Sequence, residues 1–145
     1  MEKIKKIKIT VESFIEDVED GEVTSSEKYS SSLLAILKIT ENDLTLLYTE
    51  SDDNGKTDTA FTVCDDKITV CRTGAITSEF VFIEGEHTSS LYKAGEYTFD
   101  AGIFTRKIRN NFTHCGGRLS ILYDMTVGGA DKHVRMKITS AGGDS

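Results

Sequence analysis

The side chains best suited to hold a small molecule are one tyrosine, one glutamate, two threonines and one arginine. They are Tyr48, Glu50, Thr57, Thr59 and Arg72. An arginine presents a planar fork of N–H donors that fits the two oxygens of a carboxylate or phosphate. Hydroxyl groups beside it would add further hydrogen bonds. If these side chains share one face of the fold, they form a binding site for a small anionic or amphipathic ligand.

Two predicted hairpins place the five side chains on one face. A two-residue turn at Asp65-Asp66 and a four-residue loop at Asp52–Gly55 determine which residues lie opposite each other. The pairs are Cys64 with Lys67, Val63 with Ile68, Phe61 with Val70, Leu46 with Phe61, Tyr48 with Thr59, and Glu50 with Thr57. Because side chains alternate along a strand, both hairpins predict the same inward face. That face is apolar at one end and polar at the other.

Arg72 falls on the inward face, and two interpretations of it remain open. Neighbouring strands lie ~4.8 Å apart, so Tyr48 and Arg72 would be roughly 10 Å apart with Thr59 between them. Arg72 and Glu50 could close this gap as a structural ion pair that plugs one end of the fold. Alternatively, Arg72 receives the carboxylate or phosphate of a ligand.

The elements that carry these residues are predicted to be strands throughout. Apolar residues alternate with polar ones in Leu119–Val127 and Val134–Ile138, and turn signals recur at short intervals along the chain. A helix competes with a strand only at Ser32–Ile39, and we favour the strand. This pattern predicts an all-β, antiparallel, up-and-down barrel of about 8–10 strands. A sandwich is the alternative. Residues 1–140 form the single predicted domain, and residues 141–145 form a flexible tail.

The orientation of the strand at Thr77–Ile83 is open at this stage. Either Phe80 and Phe82 point inward, or Val81 and Ile83 do. The turn at Gly74 decides between them, and its type cannot be deduced from its residues.

The charge balance excludes one class of partner. The 145 residues include 17 Lys and Arg against 24 Asp and Glu, which gives a net charge of −7. Nucleic-acid-binding proteins usually have a basic face, so DNA and RNA are not expected partners. No apolar run approaches the ~18 residues of a membrane span, and the N-terminus lacks the apolar region of a signal peptide. We therefore expect a cytoplasmic protein that does not bind membranes.

Residues typical of catalysis or metal binding do not form a convincing group. The three cysteines, Cys64, Cys71 and Cys115, have no CxxC spacing, and the three histidines have no short metal-ligand spacing. His114 beside Cys115 lacks a third residue that would orient the pair. We predict no catalytic residues, no metal and no cofactor, and we lean against an enzyme.

Several short motifs together resemble the YwiB-like proteins, a bacterial group of unknown function that contains the DUF1934 domain. The motifs are Tyr48-Thr49-Glu50, Arg72-Thr73-Gly74, Phe82 with Gly85, Tyr92 with Gly95, Thr105, and Leu119–Asp124. The resemblance implies a calycin-like barrel related to lipocalins and fatty-acid-binding proteins. It implies no particular activity.

Two functions are consistent with these observations. In the first, the barrel binds a small anionic or amphipathic ligand in its interior, and Arg72 anchors the ligand. In the second, side chains fill the barrel, and its outer surface serves as a protein-interaction or homodimer module.

Overall fold

A computed structural model describes residues 3–53, 55–113 and 115–140. These residues form ten strands. They are β1 (Lys3–Glu19), β2 (Glu22–Ile39), β3 (Asp43–Asp52), β4 (Gly55–Cys64), β5 (Lys67–Gly74), β6 (Ile76–Ile83), β7 (His87–Ala94), β8 (Tyr97–Asn110), β9 (Gly117–Val127) and β10 (Ala130–Ser140). The predicted flexible tail, residues 141–145, lies outside the described residues.

The ten strands close into one antiparallel barrel. Each strand pairs with its neighbours in sequence, and β1 pairs with β10 to complete the circle. Closure pairs β1 with β10, the two strands whose edges an open sheet would leave exposed. The predicted all-β, up-and-down barrel is confirmed, and so is the strand at Ser32–Ile39. None of the described residues forms a helix long and apolar enough to cross a membrane.

The register of the central strands follows the predicted hairpins. Leu46 pairs with Phe61 and Tyr48 with Thr59 between β3 and β4. Phe61 pairs with Val70 and Cys64 with Lys67 between β4 and β5. These predictions are confirmed because short turns leave little choice of register.

The inward-facing apolar side chains form a continuous core, of which Leu46, Phe61 and Val70 are fully buried. The open question about β6 is resolved in favour of Phe80 and Phe82, which are both buried.

The two ends of the barrel differ. We call the end that carries the β3–β4, β5–β6 and β7–β8 turns the upper end, and the end that carries the β4–β5 and β8–β9 connections the lower end. Phe112 from the β8–β9 connection is buried in the core near the lower end. Its backbone N–H donates to Asn110 Oδ1 at 3.0 Å, and Arg118 N donates to Asn111 Oδ1 at 2.8 Å. The β8–β9 connection thus places a braced apolar side chain in the core near the lower end.

The hydrogen-bonded wall is incomplete between β2 and β3. Only Ile36–Ile39 of β2 pairs with β3, at Leu44–Leu47. Beyond Leu47, the described part of β3 continues upward without a partner in β2. Tyr48 is the first inward-facing residue of β3 past this point.

Gly74 ends β5 where the chain passes very close to β4. Its φ is 132°, and a Cβ atom built on it would lie 2.3 Å from the carbonyl oxygen of Lys56. The same carbonyl accepts a hydrogen bond from Ala75 N at 2.9 Å, so it cannot easily move away. Gly74 thereby holds the rim of the barrel beside Thr57, its direct partner in β4.

We expect Gly74→Ala to lower the free energy of unfolding by about 2–3 kcal/mol, because it adds a backbone clash to an unfavourable φ. Gly85→Ala is the matched control, since Gly85 also has a positive φ of 80° but nothing within 4 Å of the added Cβ. It should cost about 1–2 kcal/mol. Urea unfolding of the two variants measures the difference. Equal losses would show that the close approach at Gly74 does not matter.

Candidate functional site

A row of five inward-facing side chains crosses β3 to β7 near the upper end of the barrel. Each is the direct partner of the next in the strand register. The row is Tyr48, Thr59, Arg72, Ser78 and Tyr92. Because direct partners in antiparallel strands lie about 4.5–5.5 Å apart, the five residues form one continuous band on the lumen wall. We call this band the polar row.

Five buried side-chain hydroxyl groups lack a hydrogen-bond partner among the described residues. They are those of Tyr48, Thr59, Ser78, Thr105 and Ser140. Thr105 lies on β8, opposite Tyr123 of β9, and is fully buried. Thr57 differs, because its Oγ1 accepts a hydrogen bond from Ile76 N at 3.3 Å. An unpartnered buried hydroxyl costs about 1–3 kcal/mol, so the three that lie together in the polar row require an explanation.

Arg72 lies in the middle of the polar row and is half-buried. Within the described part of the chain, no carboxylate lies within 4.0 Å of its guanidinium, and no hydrogen bond to it is formed. Glu50 faces the same lumen, but its partner is Thr57, one inward position closer to the rim. The Arg72–Glu50 ion pair of the structural interpretation is therefore not formed.

The charge of Arg72 nevertheless reaches two tyrosines on different walls. Burial raises the pKa of Tyr48 above its usual value, and the positive charge of Arg72 opposes that rise. Burial also raises the pKa of Tyr123 to about 12, again with Arg72 opposing it. Tyr48 is on β3 and Tyr123 on β9, so the guanidinium acts on both sides of the lumen. Both phenols stay protonated at physiological pH and can donate a hydrogen bond to an anion.

Aromatic rings border the polar row on the side of the core. The rings of Phe80 and Tyr92 stack with centroids 6.2 Å apart, and Phe82 packs on Tyr123 at 4.7 Å. Phe80 and Phe82 meet edge to face at 6.3 Å. The lumen thus presents an apolar aromatic surface directly beside hydrogen-bond donors, which is the usual composition of a small-molecule site.

A surface depression adjoins the polar row at the upper end. It has a volume of about 620 Å³ and is lined by Gly74–Thr77 and by residues 92–97. Tyr92 belongs both to this depression and to the polar row. The depression therefore adjoins the polar row at its β7 end.

A second polar cluster lies on the outer wall, where its members satisfy one another. Asp124 accepts from Arg106 Nε at 2.7 Å and contacts His133 Nδ1 at 2.6 Å. Burial raises the pKa of Asp124, but the hydrogen bonds from Arg106 and His133 outweigh it and hold the pKa below its usual value. Because these three side chains bond to one another, we interpret the cluster as a structural contact that joins β8, β9 and β10.

The structure also places the reactive and metal-ligating residue types. Cys64, Cys71 and Cys115 are free thiols. No group of three or more His, Cys, Asp or Glu side chains in the described ranges is arranged to hold a metal ion. Of the His114-Cys115 pair, only Cys115 is among the described residues.

The strand register brings together the five residues proposed from the sequence. Tyr48, Thr59 and Arg72 are neighbours in the polar row, whereas Glu50 and Thr57 form the next pair toward the rim. Sequence reasoning missed three further lumen residues, which are Ser78, Tyr92 and Thr105, whereas alternation along Leu119–Val127 had already predicted that Tyr123 faces inward. Ser78 could have been found if the β5–β6 turn had been known, because it is the direct partner of Arg72.

The fold and this site define a class of protein: a closed, ten-stranded antiparallel β-barrel whose lumen is apolar at the lower end and polar at the upper end. The chain belongs to the family described as "Domain of unknown function (DUF1934)", which matches residues 9–138. The "Uncharacterized beta-barrel protein YwiB" of Bacillus subtilis (strain 168) is 31% identical over 144 residues, covering 99% of this chain and 98% of that protein. The crystal structure of the ywiB protein from Bacillus subtilis superimposes with a TM-score of 0.80 at 28% identity, covering 97% of this chain and 96% of that one.

Proposed function

We propose that this protein is a cytoplasmic, calycin-like barrel that binds a small anionic or amphipathic molecule in its lumen. Arg72 holds the anionic group. Tyr48, Thr59 and Ser78 donate hydrogen bonds around it. The observation that carries the proposal is that donors of the polar row have no partner within the described protein.

The donor set suits an anion better than a cation or a neutral polar group. A guanidinium offers five N–H donors and no acceptor, and each hydroxyl can turn its hydrogen toward an incoming oxygen. A carboxylate bound in this way would give Arg72 the opposite charge that Glu50 does not supply. Charge-assisted hydrogen bonds of this kind are about twice as strong as neutral ones.

The aromatic surface supports an amphipathic rather than a purely ionic ligand. A ligand whose charged end meets Arg72 would have its apolar body against Phe80, Tyr92 and the adjoining rings. Phe112 occupies the core near the lower end, so we place the charged end of such a ligand toward the upper end, where Arg72 lies. Burial of apolar ligand surface then adds to the ionic contact.

Ordered water is the main competing explanation for the unpartnered hydroxyls. Water bridges buried polar groups in many proteins. Water alone gives Arg72 no directly bonded counter-charge, whereas an anion supplies both oxygens and charge. A binding experiment with matched charged and uncharged ligands separates the two explanations.

We expect the anionic fluorophore 1-anilinonaphthalene-8-sulfonate to bind saturably, with one molecule per chain. Octanoate should displace it at a concentration about tenfold lower than octanol does, because only octanoate has a charge for Arg72. Fluorescence titration measures both values. Native mass spectrometry of gently purified protein would show any molecule that is already bound. Non-saturable fluorescence, or equal displacement by the two competitors, would contradict the proposal.

A further inference from the structure

The outer edge of β2 is unpaired along much of its length. β2 pairs with β1 from Glu22 to Ile39, but it pairs with β3 only from Ile36 onward. Residues 22–35 therefore have a strand on one side only within the described part of the chain. Their other side presents backbone N–H and C=O groups to solvent. Such an edge is a template for pairing with another strand.

The regular part of this edge has clear limits. A β-bulge lies between Val23 and Ser25, because Asp17 pairs with Ser25 while its neighbour Val18 pairs with Val23. At the other end, Leu33 is half-buried where β2 enters the barrel wall. The stretch Ser25–Leu33 between these limits is regular, and its residues 25–32 are all exposed. Its centre is Tyr29.

The charge of this stretch favours a second copy of the chain as the partner. The whole protein carries a net charge of −7, which would normally keep copies apart. Ser25–Leu33 contains one glutamate, Glu27, one lysine, Lys28, and five serines, so its own net charge is zero. It also lacks proline and has a single lysine, so the devices that usually protect an edge strand are nearly absent.

We propose that two copies of this protein pair through β2, antiparallel, with the twofold axis passing Tyr29. This register pairs nine residues of each chain across the axis, from Ser25 with Leu33 through Tyr29 with Tyr29. A register centred on Lys28 or Glu27 would place two like charges directly opposite each other, which is destabilising. The Tyr29 register opposes Lys28 to Ser30 and Glu27 to Ser31, so no like charges meet directly.

The number of hydrogen bonds in the proposed interface is typical of protein interfaces. Nine antiparallel pairs exchange about eight to ten backbone hydrogen bonds, and a typical protein interface has about ten direct ones. Tyr29 is 56% exposed in the single chain, and its hydroxyl donates to Glu27. In the dimer its ring would pack on the same ring of the partner, which adds the aromatic cross-strand contact that stabilises such pairs.

Cysteine crosslinking tests this register directly. The test uses a chain in which the exposed Cys115 and the partly buried Cys64 and Cys71 are replaced by serine, to remove the native thiols. We expect Tyr29→Cys to form a disulfide-linked dimer on mild oxidation, because the two residues would be about 4.5–5.5 Å apart at the axis. Ser25→Cys is the control on the same face of the same strand. Its two copies would be roughly 26 Å apart, so it should not crosslink.

A second measurement uses the protein without introduced cysteines. Native mass spectrometry at high micromolar concentration should show a dimer for the original chain. It should show a monomer for Tyr29→Lys, which places two lysines opposite each other at an exposed position. Unchanged urea unfolding of the Tyr29→Lys monomer would show that its barrel is intact.

Three outcomes would overturn the proposal. The first is a monomer for the original chain. The second is equal crosslinking at positions 25 and 29. The third is a dimer that survives Tyr29→Lys, which would place the interface elsewhere.

Discussion

Replacing Arg72 by methionine should weaken binding of the anionic fluorophore by about 10–100-fold, because one or two charge-assisted hydrogen bonds are lost. The same substitution should leave the free energy of unfolding unchanged or raise it by about 1 kcal/mol. Among the described side chains no carboxylate lies within 4.0 Å of the Arg72 guanidinium, so removal of Arg72 leaves none of them without an ion-pair partner. Methionine has a similar length and can fill the same part of the lumen. Fluorescence titration and urea unfolding of one protein sample measure both effects.

Arg106→Met is the control for this prediction. Arg106 is also carried by a strand of the barrel, but its side chain lies on the outer surface, where it forms an ion pair with Asp124. It should lower stability by at most about 1 kcal/mol, as expected of an exposed ion pair, and should not change fluorophore binding. A loss of about 3–5 kcal/mol in Arg72→Met would instead indicate a structural ion pair, and would contradict the binding site.

Phe82→Ala should have the largest effect on stability, a loss of about 3–5 kcal/mol. Phe82 is fully buried and contacts two other rings, Phe80 at 6.3 Å and Tyr123 at 4.7 Å between centroids. Its removal leaves a cavity at the floor of the polar row, and the closed backbone of the barrel cannot collapse to fill it. The urea midpoint should fall without a change in the slope of the transition.

Phe14→Ala is the matched control, because Phe14 lies on the barrel's outer surface and is 38% exposed. It should cost about 1 kcal/mol. If Phe82→Ala lowers the free energy of unfolding no more than Phe14→Ala does, the lumen around Phe82 is loosely packed. The aromatic surface could not then orient a ligand, and the proposed position of the apolar body would be wrong.

The two predictions concern different halves of the same lumen. Phe82 belongs to the part that side chains fill, whereas Arg72 belongs to the part where donors lack partners. A barrel filled throughout would lose stability in both variants. A barrel that binds an anion at its upper end would lose stability in one and binding in the other.

Much of the site was predictable because the hairpins that build it are local. The β3–β4 and β4–β5 turns are short, so counting residues from each turn correctly pairs Tyr48 with Thr59. Counting from the β4–β5 turn in the same way places Thr59 opposite Arg72. Alternation then predicts which side chains share the lumen, since the period of a strand is two residues.

Counting failed where the chain departs from a simple hairpin. The β5–β6 turn depends on the close contact of Gly74 with Lys56 of another strand, so the inward position of Ser78 could not be derived locally. Between β8 and β9, the register shifts at Thr105 and Lys107. An irregular connection with a buried Phe112 joins these strands, and a shift of one residue moves every later side chain to the other face. Thr105 was missed for this reason.

The order of residues alone was enough to predict the strands and the faces on which their side chains alternate. It was also enough to predict the partners of Arg72 within its own hairpin, because all of these depend on sequence neighbours and short turns. Only the closed barrel decided that Arg72 has no carboxylate partner among the described side chains and that its charge acts on both Tyr48 and Tyr123. Among the same residues, it left the β2 edge beside Tyr29 without a second strand. These features depend on which strands face each other across the lumen and on where β2 and β3 separate. Both are set by closure of the whole sheet, to which every strand contributes.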